Sequence, residues 1–414
     1  MIRFAFWGLF IFFTGLSAII PALSQSKSTV NEEVRASERE AYKQTSDTVR
    51  TDTLTFFDKV LDIFEFTINK KALRKRKDAY PAKMVLAPIL AYSPETNWGV
   101  GVGVKFLFKF PKSGPETRTS NLPMTVQYTL NNQFIINSGY TIFFNQEKFT
   151  LRGNIGYSQF PRWFYGIGNN TPESAKELYS YSMFLFEPLL LRRVVGKLFI
   201  GGGLRFSSVW DVGLSEKSQL PANPVSGYLG SRSVGLETAI TYDTRDNVLN
   251  ATRGMLVEFT YGRYGRSLGG THVFDLTRFD IRQYVKLFRH RYDVLAFQLF
   301  GYFSSGDVPL TELAALGGKE LMRGYYQGRY VSNNLIAGQV EYRMPLGERF
   351  GIVGFAGMGQ VAGTWGEFSL NAFKPSFGLG LRFKIVKAEN LNLRFDYGFG
   401  QGTSNYYFNV AEAF

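Results

Sequence analysis

Cysteine is absent from the 414 residues, and histidine occurs only twice, as His272 and His290. The first absence excludes a disulfide scaffold and every thiolate metal site. The second rules out a multi-histidine metal centre, and neither histidine stands in a recognisable nucleophile–base arrangement. No catalytic residue, metal or cofactor is therefore expected. From residue 82 onward the chain also lacks any apolar run long enough to cross a bilayer as a helix. Phosphate-binding loops are missing as well. "GVGVGVKF" (99–106) and "GGGLRF" (201–206) are rich in glycine, but no helix follows either of them. A dinucleotide site needs strand, glycine turn and helix in that order. Small residues facing a crowded interior explain both stretches better.

What is abundant is aromatic and small: 39 phenylalanines, 23 tyrosines and 43 glycines, with 16% of the chain aromatic. The formal net charge of +13 suits nucleic acid or anionic lipid, and equally a protein whose charges are spread over two wet surfaces. Charge alone decides nothing. The first 24 residues contain Arg3, an apolar run and the small-x-small site Ala22-Leu23-Ser24 before Gln25, which predicts a cleaved secretory signal peptide. No cysteine follows, so a lipoprotein is excluded.

Residues 25–81 are expected to form a periplasmic tether. To about residue 52 they are polar and mixed in charge. In "TFFDKVLDIFEFTINKK", Phe56, Phe57, Val60, Leu61 and Phe64 then recur at helical spacing, with Asp58, Lys59, Asp62 and Glu65 largely opposite. Thr55 with Asp58 resembles a capping box. The spacing predicts a short amphipathic helix over 55–69, followed by the basic run "KKALRKRKD" (70–78). Such a helix either packs on the rest of the protein or docks a periplasmic partner or a lipid surface.

From residue 82 to 414 the pattern changes to period two. In "SFGLGLRFKI", Phe377, Leu379, Leu381, Phe383 and Ile385 alternate with Gly378, Gly380, Arg382 and Lys384; "LNLRFDYGFG" behaves alike. One apolar and one polar or glycine face, over segments of roughly ten residues, predicts strands that face lipid on one side. About sixteen such strands are countable. Links after even-numbered strands are mostly short ("NQEK", "FRHR"), whereas several after odd-numbered strands are long, including "LGGKELMRGYYQGRY" (316–330). Short turns at one rim and long loops at the other predict an all-β fold, a transmembrane antiparallel barrel in the bacterial outer membrane. Its partners would then be outer-membrane lipids and not nucleic acid. Phe414, after "NYYFNV", is a terminal aromatic of the sort such barrels carry.

These residues carry a resemblance. "YDTRDNVLNATRGMLVEFTYG" (242–262), "GGKELMRGYYQG" (317–328), "GLGLRF" and "LNLRFDYGFG" resemble the BamA/TamA superfamily of outer-membrane barrels, the bacterial surface antigen family; "APILAYSPETNWGVGVGV" resembles its first hairpin. The resemblance implies that the sixth extracellular loop folds into the lumen and places Arg323-Gly324-Tyr325 there. An arginine among barrel walls is expensive without an opposite charge, and Glu341 and Asp396 are the inward-facing candidates. Where the family usually has an aspartate in Phe-x-Asp-x-Gly, this chain has "FAGMG", with Gly357 in its place. No POTRA domain fits the roughly 55 residues expected between signal peptide and barrel, so a barrel-only member is expected. The implied function is assistance in insertion or export of outer-membrane or surface components, with client proteins or a separately encoded periplasmic partner. The rival is a passive pore or structural barrel.

Overall fold

The computed structural model describes residues 65–67 and 82–414, apart from 112, 115–116, 160, 249, 289–292 and 387–390. Among the described residues there is no α-helix; sixteen long strands wind into one antiparallel barrel. In order they are β1 (Lys83–Ser93), β2 (Asn97–Phe108), β3 (Ser120–Thr129), β4 (Phe134–Phe144), β5 (Phe149–Gln159) and β6 (Glu177–Val195). Then come β7 (Leu198–Leu214), β8 (Ser231–Asp243), β9 (Gly254–Tyr264), β10 (Phe274–Lys286) and β11 (Val294–Gly306). The last are β12 (Asn334–Leu346), β13 (Phe350–Ala362), β14 (Lys374–Val386), β15 (Leu391–Gly400) and β16 (Thr403–Val410).

The period-two pattern is what orients these strands. On β14, Phe377, Leu379 and Leu381 are 56%, 72% and 59% exposed, while Gly378 and Gly380 between them, and Ser376 and Arg382 on either side, are buried. Val100 and Val102 of β2 point outward in the same way. So the apolar side chains stand outside and the polar ones inside. That is inverted relative to a water-soluble domain and matches a wall whose outer solvent is hydrocarbon. An exterior of this kind needs no partner sheet, because lipid replaces the core.

Neighbouring strands share at least five residue pairs at every junction except one. β1 pairs with β2 through all eleven of its residues, from Lys83↔Leu107 to Ser93↔Asn97. Where the barrel closes, β1 and β16 share a single pair, Tyr92↔Phe408, next to which the rings of Tyr92 and Tyr406 stack at 3.8 Å. The closing seam is the weakest junction in the wall.

The apolar stripe of Phe56, Phe57, Val60, Leu61 and Phe64 lies outside the described residues, as does the expected signal peptide. Residues Glu65–Thr67 are described and form a strand antiparallel to the start of β1, with Glu65↔Val85, Phe66↔Met84 and Thr67↔Lys83. The helix expected over 55–69 therefore does not continue through 65–67. "FEFTI" at 64–68 alternates with period two as well as fitting the helical stripe, and the free edge of β1 selects the extended form.

Candidate functional site: the loop folded into the lumen

Residues 307–333 join β11 to β12 and form the sixth loop at the rim opposite the seam's 65–67 strand. After a turn at Leu310–Glu312, the two flanks Ala314–Leu316 and Tyr330–Ser332 pair as a small ribbon separate from the wall. Their apolar side chains explain why the ribbon packs inward. Ala314, Leu316, Met322, Tyr325 and Tyr330 share a buried cluster with Leu335, Ala337 and Val361 of β12 and β13. The tip, 317–329, is thereby carried into the barrel.

Arg323 is completely buried there. Its Nη1 donates to Asp396 Oδ2 of β15 at 2.6 Å, its Nη2 donates to Glu341 Oε1 of β12, and its guanidinium lies 3.6 Å from the ring centroid of Phe355 on β13. The structure thus brings Arg323, Glu341 and Asp396 together, with the ring of Phe355 as a third wall. Three further arginines complete the cluster. Arg343 Nε donates to Glu341 Oε2 at 2.9 Å, Arg382 Nη1 to Asp396 Oδ1 at 2.5 Å, and Arg394 Nε lies 3.5 Å from Asp396. Arg382 Nε also donates to Glu412 Oε2 at 2.8 Å. Four guanidinium groups (323, 343, 382 and 394) thus face three carboxylates (341, 396 and 412). Each acid meets at least one arginine, which offsets the several kcal/mol that each buried ion loses in hydration.

The main chain of the tip is held independently of that charge. Ser376 Oγ donates to the Arg323 carbonyl; Gly324 N–H donates to Tyr407 Oη at 3.0 Å, and Asn405 Nδ2 to the Gly324 carbonyl at 2.7 Å. Tyr407 Oη donates in turn to the Tyr325 carbonyl at 3.1 Å, and Tyr325 Oη to the Pro375 carbonyl at 2.7 Å. Gly324 has φ +110°, and a Cβ there would stand 2.5 Å from the Phe399 carbonyl carbon. Glycine at 324 is thus required twice, by the left-handed backbone and by the approach to β15. Gly398 serves the same contact from the other side: a Cβ on it would lie 2.8 Å from the Arg323 carbonyl carbon.

The rest of the loop is tied to the other long loops. Trp163 N–H donates to Tyr326 Oη at 3.1 Å, and the Arg329 guanidinium donates to Thr171 while lying 4.6 Å from the ring centroids of both Tyr165 and Tyr330. In the β1–β2 turn, buried Glu95 accepts the Gln327 N–H at 2.5 Å. Burial pushes the Glu95 carboxyl up from its ordinary range, against the hydrogen bonds from Ser93 and Gln327, which favour the charged form.

Gly357, which replaces the aspartate implied by the resemblance, sits on β13 against β12, and a Cβ there would meet the Gly338 carbonyl at 2.9 Å. The wall leaves no room for a carboxylate at that point, and Phe355 two residues earlier supplies a ring face instead. Arg343, Arg382, Arg394, Phe355 and Tyr407 were not legible as site residues. For Arg382 and Arg394 the signal was present: both fall on the polar side of their strands' alternation, at positions that must face inward. Phe414 is not on a strand. β16 ends at Val410, and Phe414 is buried beside Tyr284, Val294 and Ala296 on the inside of the wall.

Comparison with known proteins identifies the barrel that carries this loop. The model of the Omp85 superfamily domain matches residues 197–414, just over half of the chain. The chain belongs to the Omp85 superfamily. Among solved structures, this Omp85 barrel is similar to BamA from Haemophilus ducreyi lacking POTRA domains 1–3. The two share 13% identity and a TM-score of 0.52, over 79% of this chain and 70% of that one. It is also similar to CdiB from Acinetobacter baumannii, at 12% identity and TM-score 0.51 over 79% of this chain and 59% of that one. CdiB from Escherichia coli matches at 10% identity and TM-score 0.52, over 82% and 68%. At such identities the likeness is one of fold. This chain spans between 59% and 70% of the length of these solved relatives. By sequence, no curated protein matches. An Omp85 domain in a closed barrel with an apolar exterior makes this an outer-membrane type of barrel, and its described residues contain no POTRA domain.

Proposed function

We propose that this Omp85 barrel resides in the bacterial outer membrane and assists, without catalysing a chemical reaction, the insertion or export of outer-membrane or surface components. Its client would be an extended polypeptide taken up at the seam between β1 and β16. The observation that carries this reading is the seam itself, closed by one residue pair where the neighbouring β1–β2 junction has eleven. Edge strands with unpaired groups are templates for another strand, and lipid leaves such groups no water to bond, so an incoming strand gains by pairing there. The buried Arg323 cluster ties β12 to β15 through the loop. It keeps the wall in shape while the seam is the part free to move. A separately encoded periplasmic partner would deliver the client.

A passive pore is the weaker reading, because the loop tip and residues 412–414 occupy the inside of β12–β16. The test exploits the absence of native cysteine. Tyr92→Cys with Phe408→Cys places a disulfide across the single seam pair. Cells that depend on this variant should show, on oxidation, the same loss of particular outer-membrane proteins that depletion of the wild type produces, and recover on reduction. An unchanged outer-membrane proteome in oxidised cells refutes the proposal, and a conductance that rises when residues 317–328 are deleted, with no assembly defect, establishes the pore.

A further inference from the structure

The two strands that flank the seam are also bridged from inside, by the tip of the sixth loop. On the β16 side, the inward side chains at 405, 407 and 409 all bond to that loop. Asn405 Nδ2 donates to the Gly324 carbonyl at 2.7 Å. Tyr407 Oη accepts the Gly324 N–H at 3.0 Å and donates to the Tyr325 carbonyl at 3.1 Å, and Asn409 Oδ1 accepts from Lys319 Nζ at 3.4 Å. On the β1 side the contact comes two residues after Tyr325, where the Gln327 N–H donates to Glu95 Oε1 at 2.5 Å. Glu95 lies in the turn between β1 and β2. Its carbonyl accepts from Gln133 Nε2 at 2.8 Å and Asn131 Nδ2 at 3.1 Å, both in the β3–β4 turn. Loop residues 324–327 thus reach both sides of a junction whose own wall contact is the pair Tyr92↔Phe408.

We infer that the tip of the sixth loop is a clasp that holds the extracellular end of the seam shut, with Tyr407 and Asn405 as its fixed side and Glu95 as its release side. The inference rests on the reading of the seam as the moving part of the wall and adds what restrains it. The two sides differ in kind. Tyr407 and Asn405 are neutral and share three hydrogen bonds with the loop's main chain. Glu95 is a carboxylate only 3% exposed, and its donors, the Ser93 hydroxyl and the Gln327 N–H, are neutral too, with Lys319 supporting its charge at longer range. A buried charge without a close ion partner regains little of its lost hydration, so the β1 side yields first. When it yields, the loop stays docked through Arg323 and Tyr407, and the β1–β2 hairpin moves with the β3–β4 turn to which Glu95 binds it. The loop contributes a main-chain donor at 327, which any residue but proline supplies. What matters is therefore the acceptor at 95.

The experiment uses the purified full chain in lipid vesicles, with spin labels on two outward residues that flank the seam strands. Val100→Cys on β2 and Phe395→Cys on β15 supply the attachment points in a chain that has no native cysteine. Pulsed dipolar spectroscopy then reads the distance between the labels, which should be single and short in this parent. Glu95→Ala should raise the long-distance, seam-open population about tenfold, the effect of losing one hydrogen bond to a charged group from the closed state. Tyr407→Phe with Asn405→Ala, which strips the β16 side, should raise it as well. Glu95→Gln keeps an acceptor and Gln327→Ala keeps the donor, so both should match the parent. Arg329→Ala frees the loop from Thr171 and not from the seam strands, and should also match it. Parent-like distances in folded Glu95→Ala, or in the folded β16-side variant, overturn the inference; if one of these two does not fold, the other decides. Opening in Glu95→Gln or Arg329→Ala as large as in Glu95→Ala overturns it too. These readouts involve no client. A seam lock at 92–408 that leaves the proteome unchanged therefore sinks the functional proposal alone, and an unmoved label distance sinks this inference alone.

Discussion

Replacing Arg323 with alanine tests whether the lumen loop is held by charge or by its main chain. The substitution deletes two charge-assisted hydrogen bonds, to Asp396 and Glu341, and a guanidinium stacked 3.6 Å from the Phe355 centroid, all at full burial. Hydrogen bonds to charged groups contribute about 1.5–3 kcal/mol each, and orphaning a buried charge costs about 3–5 kcal/mol. Here neither acid is orphaned. Glu341 keeps Arg343 and Asp396 keeps Arg382, and removing one of four guanidinium groups leaves three facing three carboxylates. The expected cost is therefore about 2–4 kcal/mol, below the plain sum of the two bonds. Refolded barrel in lipid vesicles, titrated with urea and read by heat-modifiable gel migration, should show that loss. Arg323→Lys should recover part of it, since a point charge cannot bridge both acids as a planar fork does. Protease nicking of the loop in intact cells should rise. A shift under about 0.5 kcal/mol, the size of an ordinary surface substitution, together with unchanged nicking, refutes the view that the ion cluster anchors the loop.

Gly324→Ala should undock the tip more completely than Arg323→Ala, because it clashes with the Phe399 main chain in a left-handed conformation; loop proteolysis of the two variants side by side decides the order. For Glu95, burial raises the folded carboxyl above its unfolded value, so the folded state holds its proton to higher pH. This residue's share of stability is then greatest below the unfolded value and falls as pH rises through the window between the two. Glu95→Gln should flatten that part of the urea-midpoint profile and raise stability at neutral pH; an unaltered profile would show that Glu95 does not contribute. On the exterior, Leu379→Arg should cost about 2–4 kcal/mol in lipid if it sits at mid-bilayer depth, and little in detergent; equal small losses in both would place β14 outside the bilayer.

The folded barrel explains why some of this was legible and some was not. Strand existence and facing are local: Phe377, Leu379 and Leu381 alternate with Gly378, Gly380 and Arg382 whatever the rest of the chain does, and a single wet interior sorts them. The position of the loop at 317–328 follows from counting strands and turns. The short run at 64–68 was ambiguous, since Phe64 and Ile68 fit a helical stripe while Phe64, Phe66 and Ile68 fit a strand. Periodicity cannot separate those forms over five residues.

By itself, then, the sequence determined the class of the molecule: an apolar outside, a polar inside, about sixteen crossings, and an arginine carried on the long sixth loop. Each of those rests on period, turn length or composition within a few residues. The tertiary structure alone decided which groups meet. Arg323 reaches Glu341 and Asp396, 18 and 73 residues away, because barrel closure and strand stagger bring inward positions of β12 and β15 to one level. The same stagger puts Phe355 under the guanidinium, leaves Gly357 no room for a carboxylate, and turns Glu412 toward Arg382. No local pattern encodes that outcome, because it depends on the ladder register accumulated around the whole wall.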